Sequence, residues 1–468
     1  MLDINRTSKQ SLYEQIYLQI KNDILNGIIK PDSRLLPTRT LAAELHLGRN
    51  TVTLAYHQLE IEGYIRAATG SGFYVNPVST LTLVDNSNSD FSPCHTPVET
   101  KILKANNFDF QYGSIDTNIF PINTWRKCMI FALDSIVAQP ALTYMDKQGD
   151  LRLRTAIAHY LYQARGVQCS SEQVVITSGH QQSLQILTKL FPNQQYSFSM
   201  EEPGYDGTRV IFEANNYNIN PILLEDDGIN IDELSKLDTT LLYVTPSHQF
   251  PTGSVLPIMK RLSILAWANN NNSYIIEDDY DSELRYNMLP IPSLQSLDKN
   301  MRTIYLGTFS KSLSPDFRIS YMVLPKNIYK KYNQLFKLTN CTVPKILQIA
   351  LSEFFENGYF EKHQNILKTY YKKKHELLCY SIKNIFKKDA TIHGSSAGLH
   401  ILLSINCSYN QTELIEKASN NGVTIYPIDI YWIQKNRCPK NQIMLGFGSI
   451  RLEDIPIAIK ELHEAILG

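Results

Sequence analysis

Beyond about residue 107, helical stretches alternate with short β-branched or apolar runs: VVIT at 174–177, YSFSM at 196–200, TLLYVTP at 240–246, SYIIEDDY at 273–280 and RTIYLGT at 302–308. This alternation predicts an α/β fold, a sheet covered by helices on both faces. From about 329 to 468 the chain turns helix-rich around one apolar strand, LHILLSI, which predicts a smaller α+β lobe. The NNNN at 269–272 reads as a loop.

The first 76 residues follow another pattern. Leu12, Ile16, Ile20 and Ile24 recur every fourth residue, one apolar stripe on a helix ending near Gly27. A second helix is expected in TRTLAAELHL with Thr38 as its N-cap. A third follows Gly48, capped by Asn50 or Thr51, with Val52, Ala55, Tyr56 and Leu59 on one face until Gly63. IRAATGSGFYV then reads as two short strands around a Gly-Ser-Gly turn. Helix, helix, helix, hairpin is the order of a winged helix-turn-helix. Residues 77–107 are polar, carry three prolines and lack periodicity, which predicts a flexible linker. The expected division is therefore a head over 1–76, a linker over 77–107 and a larger domain over 108–468. A chain of 468 residues, several times the typical domain of about 150, suits such a division.

Lysine plus arginine (45) balances aspartate plus glutamate (45), so any nucleic-acid affinity has to come from a local surface. Seven scattered cysteines without a C-x-x-C pair predict reduced thiols, no disulfide framework and no metal site. The amino terminus lacks the pattern of a secretory signal and no apolar run reaches a membrane span. A cytoplasmic protein is expected.

The stretch GTFSKSLSPDFRISY, 307–321, masses hydroxyls around Lys311 and adds Arg318. A desolvated lysine amine forms a Schiff base with an aldehyde cofactor, and pyridoxal phosphate explains its neighbours. Thr308 and Ser310 can donate to a phosphate that Arg318 clamps. The same phosphate suits a helix amino terminus, and VVITSGHQQSLQIL supplies strand, turn and helix at Gly179, His180 and Gln181. A pyridine nitrogen requires a carboxylate, for which IIEDDYDSE offers Asp278, with Tyr280 placed for the ring hydroxyl. Tyr205, ending EEPGY, can cover the ring.

The ordered set YMDKQGDLRLR, TSGHQQSL, EEPGY, TPSHQFPTG, EDDYDSELRY and GTFSKSLSPDFRI resembles the fold-type-I aminotransferases. LLPTRTLAAEL, GRNTVTLAYHQLEIEGYI and the glycine wing resemble the GntR-type DNA-binding head. Together they resemble the MocR subfamily of GntR regulators. The resemblance implies a large α/β lobe with a mixed seven-stranded-type sheet and the small α+β C-terminal lobe. It makes Lys311 the aldimine lysine, Asp278 the partner of the pyridine nitrogen, Tyr280 the partner of O3′ and Tyr205 the stacking ring. Ser310, Arg318 and the Gly179 turn take the phosphate, and Tyr144 reaches the phosphate of a partner subunit, so a homodimer is implied. The chain departs from the enzymes at two positions. Phe250 stands where they carry an asparagine, and Met444 stands where an arginine fixes the substrate carboxylate. Arg126, Arg437 and Arg451 read as surface cations.

For DNA, the recognition helix would present Arg49, Asn50, Thr51 and Thr53 to the major groove, with Arg39 on phosphate and the Gly70-Ser71 wing at the minor groove. Residues 1–80 hold eight basic and seven acidic side chains, so one head alone should bind modestly. The resulting expectation is a transcription regulator that binds double-stranded DNA as a homodimer. Through Lys311 it senses an amino acid, amine, short peptide or pyridoxal phosphate itself. The rival is an amino-acid aminotransferase with an accessory DNA-binding head, and a third reading makes the head an assembly module.

Overall fold

Apolar spacing in the head produces the elements it predicts. The computed structural model describes residues 2–8, 10–77, 107–286, 291–394 and 397–468. They fall into two units, one within the described residues up to 77 and one from 107 onward. The expected linker lies, apart from its two end residues, outside the described residues.

In the smaller unit α1 (Leu12–Leu25), α2 (Thr38–Glu44) and α3 (Arg49–Ile61) precede a hairpin of β1 (Ile65–Ala68) and β2 (Gly72–Val75), paired Ile65 to Val75. Ile16, Ile20 and Ile24 meet Leu41, Val52, Ala55, Tyr56 and Leu59 in one core. Leu12 is only half-buried; Gln15 is buried instead and donates to the carbonyls of Asn5 and Gln10, pinning the helix start. The expected caps differ. Pro37 occupies the N-cap of α2, so Thr38 is already helical, and Gly48 caps α3 in place of Asn50 or Thr51. Arg49 is thereby the first residue of α3.

In the larger unit, β3 (Phe108–Asp109) comes first, followed by β4 (Val174–Thr177), β5 (Phe198–Glu202), β6 (Ile219–Glu225), β7 (Gly228–Ile229) and β8 (Leu241–Val244). β9 (Tyr274–Asp279), β10 (Thr303–Thr308) and β11 (Ser320–Val323) complete the large lobe. The main sheet runs β4-β11-β10-β9-β8-β5-β6-β7. It has eight strands where seven were expected, because the two-residue β7 folds back on β6. β11 and β7 run against the rest, so β4, β5, β8, β9 and β10 all direct their carboxyl ends to one edge. Side chains alternate across these strands: Ile275 faces the core under helix Ile258–Asn270, while Ile276 faces the core under helix His180–Leu190.

The small lobe sheet joins β12 (Ala390–His393), β13 (His400–Ile405), β16 (Gln442–Gly446) and β15 (Tyr426–Pro427). β14 (Val423–Thr424) pairs with β3, which ties the first strand of the larger unit to its last third. Helices Lys326–Leu335 and Lys345–Glu356 pack into the large-lobe cores. Tyr359 and Phe360 do so too, so the small-lobe core draws on the helix Tyr359–Phe386 from Leu367 onward, and not on the chain from about 329.

One buried ion pair locks the entry segment to this lobe. Lys374, fully buried, donates to Asp116 Oδ2 at 2.8 Å and to the Gly448 carbonyl at 3.0 Å, and the Tyr370 hydroxyl donates to the same carboxylate. Burial raises the Asp116 pKa, but Lys374 and Tyr370 outweigh it and hold the carboxyl below its ordinary value. Removing one partner of such a pair strands the other charge, so Lys374→Met should destabilise the larger unit by about 3 kcal/mol or more. Urea unfolding followed by tryptophan fluorescence measures this. A loss below about 1 kcal/mol would mean the pair contributes little.

Candidate functional site

Three consecutive acids close β9, and strand alternation gives them different work. Glu277 accepts from the amides of Leu294 at 2.6 Å and Gln295 at 2.8 Å, and Asp279 pairs with Arg165 at 2.7 Å. Asp278, between them, faces a cavity of about 250 Å³ at the carboxyl edge of the sheet. Its Oδ2 accepts from the Tyr243 hydroxyl and lies 3.4 Å from His180 Nε2; its Oδ1 is buried without a hydrogen-bond partner. Burial pushes this carboxyl up, with His180 and Tyr243 acting against it. An unsatisfied buried acceptor is costly, so this oxygen is built for a donor from a bound group.

Lys311 follows β10 and opens onto the same cavity. Its Nζ lies 4.3 Å from the centre of the Tyr112 ring, and a Cβ on Gly113 would come within 3.0 Å of it. Burial pushes the amine pKa down to about 8, although Asp281 favours its charged form. Ser320 donates to Thr308 at 2.8 Å and Thr308 donates to Ser310 at 3.0 Å. Thr308 thus orients Ser310, whose own proton stays free for an acceptor in the cavity. Arg318 lies across Gly179, where a Cβ would sit 2.2 Å from Nη2; with φ +84, only glycine fits there. The guanidinium is thereby held at the amino terminus of helix His180–Leu190, which has no side-chain cap.

Of the residues expected at the cofactor, Lys311, Asp278, Tyr280, Tyr205, Thr308, Ser310 and Arg318 line this cavity, as do His180 and Gln181. Gly179 lies against Arg318. Tyr144 lies elsewhere, 89 % exposed. Tyr280 hydrogen-bonds His248 Nδ1 at 3.0 Å. Sequence reasoning missed Tyr112, Tyr243 and His248. A hydroxyl in the otherwise apolar LLYV strand was a usable signal for Tyr243; nothing local marked Tyr112. Phe250, flagged as a departure, packs between Tyr112 and Tyr431 at 5.0 and 4.8 Å, and Met444 is fully buried beside them.

An unpaired carboxylate oxygen, a lysine of depressed pKa, and an arginine with a serine at a helix amino terminus fit pyridoxal phosphate. The fold and this donor set define a pyridoxal-phosphate domain of aminotransferase type. Comparison agrees. The family "Aminotransferase class I and II" matches residues 114–437, and "Bacterial regulatory proteins, gntR family" matches 12–75. The chain is 40% identical to the HTH-type transcriptional regulator YdeL of Bacillus subtilis (strain 168), itself uncharacterised, over 99% of this chain and 98% of that one. It is 29% identical to the probable rhizopine catabolism regulatory protein MocR of Rhizobium meliloti, over 100% and 96%. The multiple substrate aminotransferase from Thermococcus profundus superposes with a TM-score of 0.70 at 25% identity, covering 77% of this chain and 91% of that one. The chain belongs to the MocR subfamily of GntR regulators, helix-turn-helix transcriptional regulators whose larger domain is of the pyridoxal-phosphate-binding aminotransferase fold.

The depressed amine gives a direct test. Protein freed of cofactor should take up pyridoxal phosphate at a rate that rises with pH to half-maximum at about 8. An ordinary lysine would need about 10.4. A stopped-flow absorbance profile still climbing at about pH 10 contradicts a desolvated Lys311.

Proposed function

We propose that this regulator binds its operator as a cytoplasmic homodimer and senses a small primary amine at Lys311. The observation that carries the reading is the unpaired Asp278 Oδ1 in one cavity with a lysine amine of lowered pKa. Asp278 would hold the proton of the ring nitrogen, and Tyr280 would meet the ring hydroxyl. Tyr205 would cover the ring, and Arg318, Ser310 and the amides of His180 and Gln181 would take the phosphate. When bound, pyridoxal phosphate supplies a carbon that can exchange one primary amine for another and a ring that withdraws electrons. In that exchange Lys311 would give up its bond to that carbon to the incoming amine and take the two hydrogens the amine loses, so nothing would be oxidised or reduced. The free Lys311 amine lies over the Tyr112 ring, with Asp281 favouring its charged form.

Ile130, Leu133 and Val137 form an exposed apolar face on helix Ile122–Val137, and Leu142 and Tyr144 are 82 and 89 % exposed. This exposed apolar face supports the dimer: a second copy covering it would remove it from water and would bring two heads to one operator. No helix among the described residues is long and apolar enough to cross a membrane. The aminotransferase reading requires a grip on a substrate carboxylate, and the apolar packing of Met444 and Phe250 favours the sensor.

In the head, Lys21 pairs with Glu62 at 3.1 Å and Arg66 with Asp32 at 2.5 Å, while Arg39, Arg49, Asn50 and Thr53 are exposed. Thr51 is half-buried, and the Gly70–Ser71 turn tips the hairpin with Ser71 Oγ 2.6 Å from the Tyr74 hydroxyl. Arg49→Ala in the full-length protein should weaken binding to its upstream DNA by about 1–3 kcal/mol; if the contact is to phosphate, the slope against log salt should fall by about one per head. Fluorescence anisotropy at several salt concentrations reads both; unchanged affinity and slope would remove α3 from the groove.

A further inference from the structure

We infer that the effector is an apolar-substituted primary amine that carries no carboxylate; this rests on the amine-sensing reading above. The wall around the Lys311 amine is aromatic. Tyr112 lies over it, Phe250 packs on Tyr112, and Tyr431 packs on Phe250 with its hydroxyl 3.8 Å from the Met444 sulfur. Met444 shares one buried cluster with Phe250, Leu402, Ile428 and Tyr431.

Few cations reach this wall. Among the described residues lining the cavity, the lysine and arginine side chains are Lys311 and Arg318, one the reacting amine and the other laid across Gly179. Arg285 is buried and does not line the cavity; it donates from Nη2 to the Ser247 carbonyl while its Nε has no partner, and Arg209 donates to the Ile430 carbonyl at 3.0 Å. Arg126, Arg437 and Arg451 are exposed and do not line the cavity. Two imidazoles sit beside Phe250 and Tyr280, and neither lines the cavity. His400 donates Nε2 to the Pro251 carbonyl at 3.0 Å, and burial pushes its pKa down to about 3. His248 Nδ1 lies 2.8 Å from Asp281. The remaining charges here are the carboxylates of Asp278 and Asp281. A carboxylate brought alongside Lys311 would be desolvated against aromatic faces and like charge without a partner, a strongly disfavoured arrangement. An aliphatic or aryl substituent would bury against Tyr112 and Phe250, which Tyr431 backs, and gain from doing so.

The test uses full-length protein loaded with pyridoxal phosphate. Borohydride reduction and peptide mapping first establish whether the cofactor is on Lys311. The cofactor absorption band is then titrated with pairs that differ by one carboxylate, phenethylamine against phenylalanine and isoamylamine against leucine, with ethanolamine as the polar control. Each amine should half-saturate at a concentration roughly tenfold or more below its carboxylated twin, and below ethanolamine. An amino acid that acts at an equal or lower concentration than its amine overturns the inference. So does an unresponsive band in protein that carries the adduct at Lys311. A missing adduct fails the amine-sensing reading itself, and the inference falls with it. Met444→Arg, in protein that still yields the adduct, should move the preference towards phenylalanine; an unmoved preference counts against the wall as the selecting element.

Discussion

A lysine amine held out of water at the carboxyl edge of a parallel sheet is the constraint around which the larger unit is arranged. Desolvation alone would drive the chain away from such a placement. Asp281 offsets part of that cost, and strands of one direction end together there and bring to the same cavity a hydroxyl relay from Ser320 through Thr308 to Ser310 and the Asp278 carboxylate. The same burial that disfavours the ammonium makes the neutral amine available near physiological pH. Asp278 is the complementary case: its Oδ2 is satisfied by Tyr243, and its Oδ1 is left to a ligand.

The ring over Lys311 belongs to the segment that, in sequence, follows the residues joining the two units. Tyr112 and Gly113 lie between β3, paired with β14, and Asp116, held by Lys374. Both anchors are in the small lobe, so the cover of the amine is fixed to that lobe while Lys311 belongs to the large one. A ligand can shift the balance between two arrangements only by contacting them differently. Tyr112 is placed to make such a difference, since it touches the reacting amine and is carried by the other lobe.

Much of this was legible in the sequence because the chemistry sits on ordered motifs. β4, β8, β9 and β10 appear within a residue or two of the runs that announced them, and Asp278, Lys311 and Arg318 were marked by strand ends and hydroxyl clustering. β5 starts two residues later than YSFSM suggested. The missed pieces are non-local. β3 and β14 are two residues each and exist only by pairing across more than 300 positions, and Tyr112 is carried to the site by that pairing and by the Asp116–Lys374 pair. The caps of α2 and α3 were misassigned by one residue or more, because Pro37 and Gly48 have the extended backbone an N-cap needs and provide no side chain for it. The small lobe was begun too early because helices 326–356 look amphipathic whichever core they face.

Charge in the head sets what its partner surface must supply. With eight basic and seven acidic side chains in the first 80 residues, and with Lys21 and Arg66 already paired, the head carries little net positive charge for phosphate. Non-specific affinity, which counts neutralised phosphates, is therefore small for one head. A weakly charged head gains less from long-range attraction and relies more on direct base contacts, where a mismatch costs directly. In the dimer proposed above, two such heads on one operator would multiply that discrimination, and the spacing between them would be the quantity through which a change in the larger units is felt. Low charge would then make the arrangement of the heads, more than the strength of either one, the variable under control.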